Sequence, residues 1–229
     1  MILIRENLCI LRMALVKRKM RWGLTPLGWL SLAILGFAVF CGVVIGIYPF
    51  LAVNEPVQGD ILVVEGWLPD YALEDVVKWF RSHDYRLLVT TGGPHCKGHY
   101  LLQYKTSAEL TAAILIQLGL DENRVKALPV PLVSMNRTYG SALLVKEWLA
   151  DSVPSIKAFD IYSQGPHARR TRLLFEKVFG NEIDIGIIAA PDEEYDPQRW
   201  WMTSAGFRTV IDETLAYLYA RFFFWPKEM

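Results

Sequence analysis

The stretch DIYSQGPHARRTR, residues 160–172, decides the fold that we expect for this chain. It follows an apolar run that starts at Ile156, and it is typical of a strand end, a Gly-Pro turn and a helix that begins near His167. A strand followed at once by a helix is the repeating unit of an open α/β sheet, in which ligands collect outside the carboxyl ends of the strands. These residues therefore predict a fold class and the location of a binding site.

The same stretch carries a titratable imidazole and three guanidinium groups, on His167, Arg169, Arg170 and Arg172. His167 and Arg170 are three residues apart, so a helix places them on one face. The N-terminus of a helix also offers free N–H groups and the positive end of its dipole. We therefore expect an anion-binding site here. The alternative is a solvated basic face beside a helix-capping turn.

Strand and helix patterns alternate through the rest of the chain. Strand-like runs cover residues 60–65, 86–91, 124–128, 156–162 and 182–188, and helical patterns cover residues 70–80, 105–118, 138–149, 167–179 and 203–225. Asn136 or Thr138 is the expected N-cap of the third of these helices. The alternation predicts a Rossmann-like three-layer α/β domain with a mostly parallel sheet.

Residues 27–53 contain no Asp, Glu, Lys or Arg. The run exceeds the roughly 20 apolar residues that span a bilayer, so we expect a transmembrane helix. A cleaved signal peptide is the alternative, but its apolar region has roughly 7–15 residues, and no A-x-A box ends this run. The predicted organisation is a basic cytoplasmic N-terminus over 1–26, one transmembrane helix over 27–53, and an extracytoplasmic domain over 54–229.

Charge predicts the orientation and excludes one class of partner. Six basic residues precede the apolar run, against the single acid Glu6: Arg5, Arg12, Lys17, Arg18, Lys19 and Arg21. Positive flanks stay in the cytoplasm, which predicts a single-pass protein of the inner (plasma) membrane with its N-terminus inside. The rest of the chain has 18 basic and 23 acidic residues, and this acidic balance argues against a nucleic-acid partner.

The sequence lacks the motifs of common cofactor sites and nucleophiles. It contains no G-x-G-x-x-G, no Walker loop and no G-x-S-x-G, so we predict no particular cofactor. His95, Cys96 and His99 are residue types that bind metal ions. A structural metal site normally needs four ligands, however, and no second cluster of such residues follows. We therefore interpret this segment as a polar loop and predict no metal site. Cys9 and Cys41 lie outside the α/β domain, so no disulfide forms within it.

In a parallel sheet, the strand ends bring Glu65, the Thr-Gly-Gly of residues 91–93, and Ser163 to one edge, beside His167. Glycines in such turns let the backbone approach a ligand closely. His167 is a candidate general acid toward a leaving phosphate, with Glu65 or Glu109 as base. Arg170 would hold the anion.

The helical pattern over 203–225 ends in the aromatic run FFFW, residues 222–225. The pattern is too short and too interrupted by Arg221 to span a membrane. Two interpretations stay open. Either this helix packs on the sheet, or its aromatic end contacts the headgroup region near the anchor.

Five segments, in this order, resemble the bacterial SanA/ElyC/YdcF family. They are GDILVVEGW (59–67), LLVTTGG (87–93), TSAEL (106–110), NRTYGSA (136–142) and GPHARRTRLLF (165–175). The resemblance covers most of residues 58–190, and the apolar segment is similar to the anchor of SanA and ElyC. It implies a Rossmann-like fold and a role in cell-envelope integrity or polymer synthesis. In one branch, similar proteins are linked to S-adenosylmethionine.

The resemblance carries over to individual residues. Those that match the family pattern are Glu65, Gly66, Gly92, Gly93, Ser107, Glu109, Thr138, His167 and Arg170. The chain departs from the pattern at three places: Leu132 stands where the first Glu would be, Arg137 replaces an Asn, and Gly140-Ser141 replace the final Glu-Asn.

Together, the residues and the resemblance predict a site of two parts. The expected catalytic residues are His167, Glu65 and Glu109. The expected ligand-binding residues are Gly66, Thr91, Gly92, Gly93, Ser107, Thr138, Ser163, Arg169 and Arg170.

The expected function is envelope biogenesis on a phosphorylated or other anionic precursor, as a hydrolase or transferase. The alternatives are a non-catalytic envelope binding or scaffold factor, and a nucleotide or S-adenosylmethionine binder.

Overall fold

The computed structural model describes residues 24–95, 101–131 and 136–225. The chain divides into two compact units, Met1–Val43 and Val44–Met229. Several residues used above lie outside the described residues, namely the basic residues 5–21, Cys96, His99 and Leu132.

The first described helix, α1, covers Pro26–Leu51 and has 26 residues. It is the one helix of the described chain long and apolar enough to cross a membrane. By length and composition it fits a single transmembrane helix, close to the predicted bounds of 27 and 53. Its last two turns, from Val44, belong to the second unit.

The second unit is built on a five-stranded sheet of β1 (Ile61–Glu65), β2 (Leu87–Gly92), β3 (Val125–Pro129), β4 (Ala158–Gln164) and β5 (Asp184–Ala190). The strand order is β3-β2-β1-β4-β5, and all four pairings are parallel. The predicted Rossmann-like α/β fold is confirmed. The sheet that was expected to be mostly parallel is parallel at every described pairing.

Five helices of this unit follow the strands: α2 (Asp70–Ser82), α3 (Ser107–Gln117), α4 (Arg137–Ser152), α5 (His167–Phe179) and α6 (Ser204–Phe222). Every side chain of β1 is buried, because both faces of the sheet are covered. Leu62 and Val64 pack in one core with α2 and α3. Ile61 and Val63 pack in the other core with α4 and α5.

Helix starts differ from the sequence prediction where capping decides. Helix α3 begins two residues late because Thr106 and Glu109 form a reciprocal capping box. Asn136 is the N-cap of α4, with a left-handed backbone (φ 55°) and no side-chain capping bond. Pro129 ends β3 at the edge of the sheet, where a missing N–H is tolerated.

Strand order creates a crevice at the carboxyl ends of β1 and β4. From β1 the chain moves outward through β2 and β3, and it then crosses to β4 on the other side of β1. This is the topological switch point, where open α/β sheets bind ligands. Glu65 is the last residue of β1, and β4 ends at Gln164.

Helix α6 packs outside α5 and against the end of α1. Leu173 and Leu174 of α5 share a buried cluster with Ala220 of α6. A second cluster joins Leu51 to Val210, and its other members are Tyr195 and Trp200. Leu51 is therefore part of the hydrophobic core of the second unit, with Val44, Ile47 and Tyr48 packed against the same cluster.

Candidate functional site

Glu65 is a buried carboxylate at the switch point, with 4% of its surface exposed. Its oxygens accept hydrogen bonds from the Ser163 hydroxyl of β4 and, at 3.3 Å, from the Thr171 hydroxyl of α5. Burial by itself would raise the pKa of Glu65, but the charge of His167 and the bond from Ser163 hold it below its usual value. Glu65 is therefore an anion.

His167 is the first residue of α5, directly after the turn that follows β4. Its Nδ1 lies 2.9 Å from Oε1 of Glu213, a residue of α6. Its Nε2 lies 3.5 Å from Oε1 of Glu65, which is an ion-pair distance and longer than a hydrogen bond. The imidazole therefore lies between two carboxylates that come from opposite ends of the domain sequence.

Arg170 extends this arrangement one turn further along α5. Its Nε and Nη2 donate to the two oxygens of Glu213 at 2.8 and 3.0 Å, a bidentate pair. Nη2 also lies 2.9 Å from Nδ1 of His167. When the ring is doubly protonated, Nδ1 of His167 and Nη2 of Arg170 both donate to Oε1 of Glu213. We call Glu65, His167, Glu213 and Arg170 the charge chain.

The charge chain is fully ionised near neutral pH. Burial would lower the pKa of His167, but the charge of Glu65 and the bond to Glu213 outweigh it and raise the pKa from 6.5 to about 9. Burial would likewise raise the pKa of Glu213, but His167 and Arg170 lower it to about 2. Two anions alternate with two cations, so the chain of four groups carries no net charge.

The exposed rim of this site is formed by Trp67 and a polar chain. The Trp67 ring is half exposed and meets the His167 ring edge-to-face at 4.8 Å. On the other side, Gln164 Nε2 donates to the Tyr71 hydroxyl at 2.5 Å, and that hydroxyl lies 3.5 Å from Asp192. The rim therefore combines an aromatic face with hydrogen-bonding groups, which suits an organic ligand with polar substituents.

The turn before α5 needs its glycine. Gly165 has φ +40°, a left-handed conformation that favours glycine. No side chain caps the start of α5. The Ala168 amide donates to the Gly165 carbonyl at 3.2 Å. The positive end of the helix dipole lies at this turn, where an anion is stabilised.

A second group of predicted residues meets at the ends of β1 and β2. The Gly66 amide donates to the carbonyl of Thr91, and the Ser107 amide donates to that of Gly93. A Cβ on Gly92 would lie 2.1 Å from Ser107 Oγ. These glycines let the chain pack closely on itself at the start of α3. At Gly93 a Cβ would meet only a carbonyl oxygen 3.6 Å away.

Three predicted residues lie apart from the charge chain. Glu109 accepts from the amides of Lys105 and Thr106, so its carboxylate caps α3. Arg169 lies over the Phe50 ring at 4.1 Å and donates to the Phe50 carbonyl, so it binds the end of α1. Thr138 lies in the first turn of α4 and belongs to neither group among the described contacts.

The structure thus joins Glu65, Ser163, His167 and Arg170 as predicted, and it adds two residues. Thr171 is four positions after His167 and on the same helical face, so its spacing was a usable signal. Glu213 is 46 residues from His167. Its only signal in the sequence is a carboxylate within a largely apolar helical pattern, which does not identify a partner.

Among the described residues, no group of three or more His, Cys, Asp or Glu is placed to hold a metal ion.

Comparison with known proteins adds no assignment. No family model matches the chain, and no curated protein matches it.

Proposed function

We propose that this chain is a membrane-anchored protein of cell-envelope biogenesis or integrity, and a member of the SanA/ElyC/YdcF family. Its crevice between β1 and β4 would bind a phosphorylated or other anionic envelope precursor. Support comes from the five ordered motifs, the apolar helix α1 and a Rossmann-like sheet. The switch point of that sheet carries His167 and Arg170, which match the His-x-x-Arg spacing of the family pattern.

The proposal includes a topology. α1 would cross the inner (plasma) membrane once, with the N-terminus in the cytoplasm and the α/β domain outside. The six basic residues before α1, against the single Glu6, support this orientation.

The observation that carries the proposal is the protonation state of the His167 imidazole. A carboxylate on each side of the ring keeps the imidazole protonated, and its Nε2 has no hydrogen-bond partner in the described structure. A cationic N–H at the start of an uncapped helix is a donor for an anionic oxygen.

In a hydrolase or transferase, this geometry divides the acid and base roles between two residues. The protonated His167 would donate a proton to the leaving oxygen, and Glu65 would accept a proton from the attacking group. Arg170 would act as a positioning residue, since its donors hold Glu213 and Glu213 holds the ring. The proposal gives the base role to Glu65 because the Glu109 carboxylate caps α3.

One observation favours a second candidate, a non-catalytic envelope binding factor. All four members of the charge chain already pair with one another, and their charges cancel. Such a network can stabilise a fold or bind a ligand without catalysing a reaction. The two candidates differ in whether His167 is needed for more than binding.

The test is ligand-induced thermal stabilisation of the full-length chain in detergent micelles. The panel would hold inorganic phosphate, pyrophosphate, prenyl phosphates, nucleotide sugars, S-adenosylmethionine and divalent metals. A ligand at one hundred times its dissociation constant adds about 2.7 kcal/mol to the stability. We expect an anion to raise the melting temperature and His167→Gln to abolish the shift.

Arg172→Gln is the matched control, because Arg172 lies on the same helix but pairs with Glu55 and Glu176. It should leave the ligand shift unchanged. Loss of the shift in both variants, or no shift with any anion, would contradict the proposed site. A shift without turnover of any phosphorylated compound would favour the binding factor.

A further inference from the structure

Three large apolar side chains are exposed together where the chain enters α6. Trp201 is 41% exposed, Met202 68% and Phe207 51%. The buried Trp200 joins them, since its ring lies 5.8 Å from that of Trp201 and 6.1 Å from that of Phe207. We call Trp201, Met202 and Phe207 the basal patch. Clustered exposed side chains of this size mark a surface that contacts an apolar partner.

Trp200 fixes the level of this patch along α1. Its Nε1 donates to the carbonyl of Val44 at 3.0 Å. Val44 stands seven residues before Leu51, the last residue of the helix. At 1.5 Å per residue, the patch lies beside a point about 10 Å back from the end of α1.

The length of α1 relates that point to a bilayer. Its 26 residues extend about 39 Å, whereas the hydrocarbon core of a bilayer is about 30 Å thick. Roughly 20 residues fill that core, and counting from Pro26 they end at Ile45. Val44 therefore falls at the boundary between hydrocarbon and headgroups.

We infer that the basal patch inserts into the headgroup region of the bilayer that α1 crosses, so that the α/β domain rests on the lipid surface. The inference uses the membrane span proposed above but needs no ligand in the crevice. Tryptophan is enriched at this depth because its ring is apolar while its N–H is polar. The occupant is a phospholipid surface, continuous with the lipid around α1.

The aromatic end of α6 lies at another level. Tyr217 contacts Phe50 with ring centroids 5.5 Å apart, so α6 moves from the level of Val44 toward the end of α1 as it runs from Phe207 to Tyr217. Beyond it, the Phe224 carbonyl accepts a hydrogen bond from Lys177 at 2.8 Å. The backbone of residues 222–225 is thus held on the domain, with Phe222, Phe223 and Trp225 exposed nearer the end of α1. The inference places the lipid contact at the level of Val44, at the basal patch.

The experiment is a site-directed spin-label measurement on the full chain in phospholipid nanodiscs. Cys9, Cys41 and Cys96 are changed to Ser, and single cysteines are introduced at Met202, Phe207, Phe222, Lys78 and Ile34. Each label is exposed to molecular oxygen, which concentrates in lipid, and to a water-soluble nickel complex. A melting temperature equal to that of the wild type shows that each variant keeps its fold.

We expect labels at Met202 and Phe207 to have an oxygen-to-nickel ratio several-fold above that at Lys78, which is exposed on α2. The label at Phe222 should resemble Lys78. Equal ratios at 202, 207 and 78 would overturn the inference. Spin–spin broadening at 202 or 207 that disappears on dilution with unlabelled chain would also overturn it, because a second copy would then cover the patch.

The label at Ile34 separates this inference from the anchor proposal. A lipid reading at Ile34 with a water reading at 202 and 207 would leave the anchor intact and refute the patch. A water reading at Ile34 would refute both.

Discussion

Glu213 is the residue on which the charge chain depends. It is 16% exposed and binds His167 and Arg170 together, so its loss leaves two cations without their shared acceptor. Breaking a buried ion pair costs about 3 kcal/mol or more. We expect Glu213→Gln to lower the melting temperature by roughly 6–12 °C. Glu176→Gln, which removes an exposed partner of Arg172, should change it little, and equal losses would contradict the assigned role.

The same residues predict how stability depends on pH. Folding raises the pKa of His167 from 6.5 to about 9, so its contribution is present below pH 6.5 and is lost as the pH rises toward 9. Folding lowers the pKa of Glu213 from 4.5 to about 2, so that contribution is lost as the pH falls from 4.5 toward 2.

Chemical denaturation across this pH range measures both effects. We expect a stability plateau between about pH 4.5 and 6.5, with losses on both sides. His167→Gln should flatten the alkaline loss. An unchanged alkaline slope in that variant would show that another group causes it.

Gly186 provides a test of backbone packing between β4 and β5. A Cβ at this position would lie 1.8 Å from Oδ1 of Asp160 and 2.5 Å from the Val57 amide. Asp160 is fully buried, and it accepts from the amides of Val57 and Gly59 and from the Tyr85 hydroxyl. Gly186→Ala must displace this network, so we expect a loss of about 1–3 kcal/mol or more in denaturant unfolding.

Gly93→Ala is the control, because its added Cβ would have 3.6 Å of clearance. Comparable losses in the two alanine variants would mean that the Asp160 network does not cause the effect.

At the scale of elements, the end of α1 is part of the folded domain. Leu51 is fully buried against Tyr195, Trp200 and Val210. We expect Leu51→Ala to cost about 2–5 kcal/mol of domain stability, measured by thermal unfolding of the full chain in detergent. Ile45→Ala, at an exposed position of the same helix, should cost little. If neither change affects unfolding, the end of α1 does not contribute to the stability of the domain.

The elements themselves were predictable because their signals are local. Five apolar runs followed by helical patterns indicated a Rossmann-like sheet, and β1 is buried along its whole length as such runs suggest. The first and last residues of the elements were less predictable. The capping box of Thr106 and Glu109, for example, places the start of α3 two residues later than predicted. The meeting of Glu65, Ser163 and His167 followed from the sheet alone, because parallel strands end at one edge.

The remaining parts of the site depend on contacts between distant segments. Glu213 reaches His167 only because α6 packs on α5, and no spacing in the sequence encodes that packing. Arg169 turns to Phe50 for the same reason, since the end of α1 docks beside α5. The glycines at 66 and 92 stay predicted ligand contacts, and the structure adds a packing reason for them, since an added Cβ would meet the Thr91 carbonyl or Ser107.

At the scale of the whole molecule, the orientation proposed for α1 predicts the side of the membrane on which the domain lies. A reporter that is active only outside the cytoplasm, fused after Met229, should be active. The reason is the charge difference across α1, with six basic residues before it. A reporter that works only in the cytoplasm should be silent at the same position. Activity of that second reporter would reverse the proposed topology.

The pairing of α6 with α5 and with the end of α1 bears on how the protein is made. Synthesis delivers α1 and His167 first, and Glu213 emerges only after every strand of the sheet. A nascent chain can therefore complete its sheet while the crevice still lacks its second carboxylate and Leu51 still lacks its cover. A premature stop before Val210 would release a chain that lacks Glu213 and part of the cover of Leu51. Quality-control proteases would encounter a nearly finished fold whose candidate site lacks Glu213.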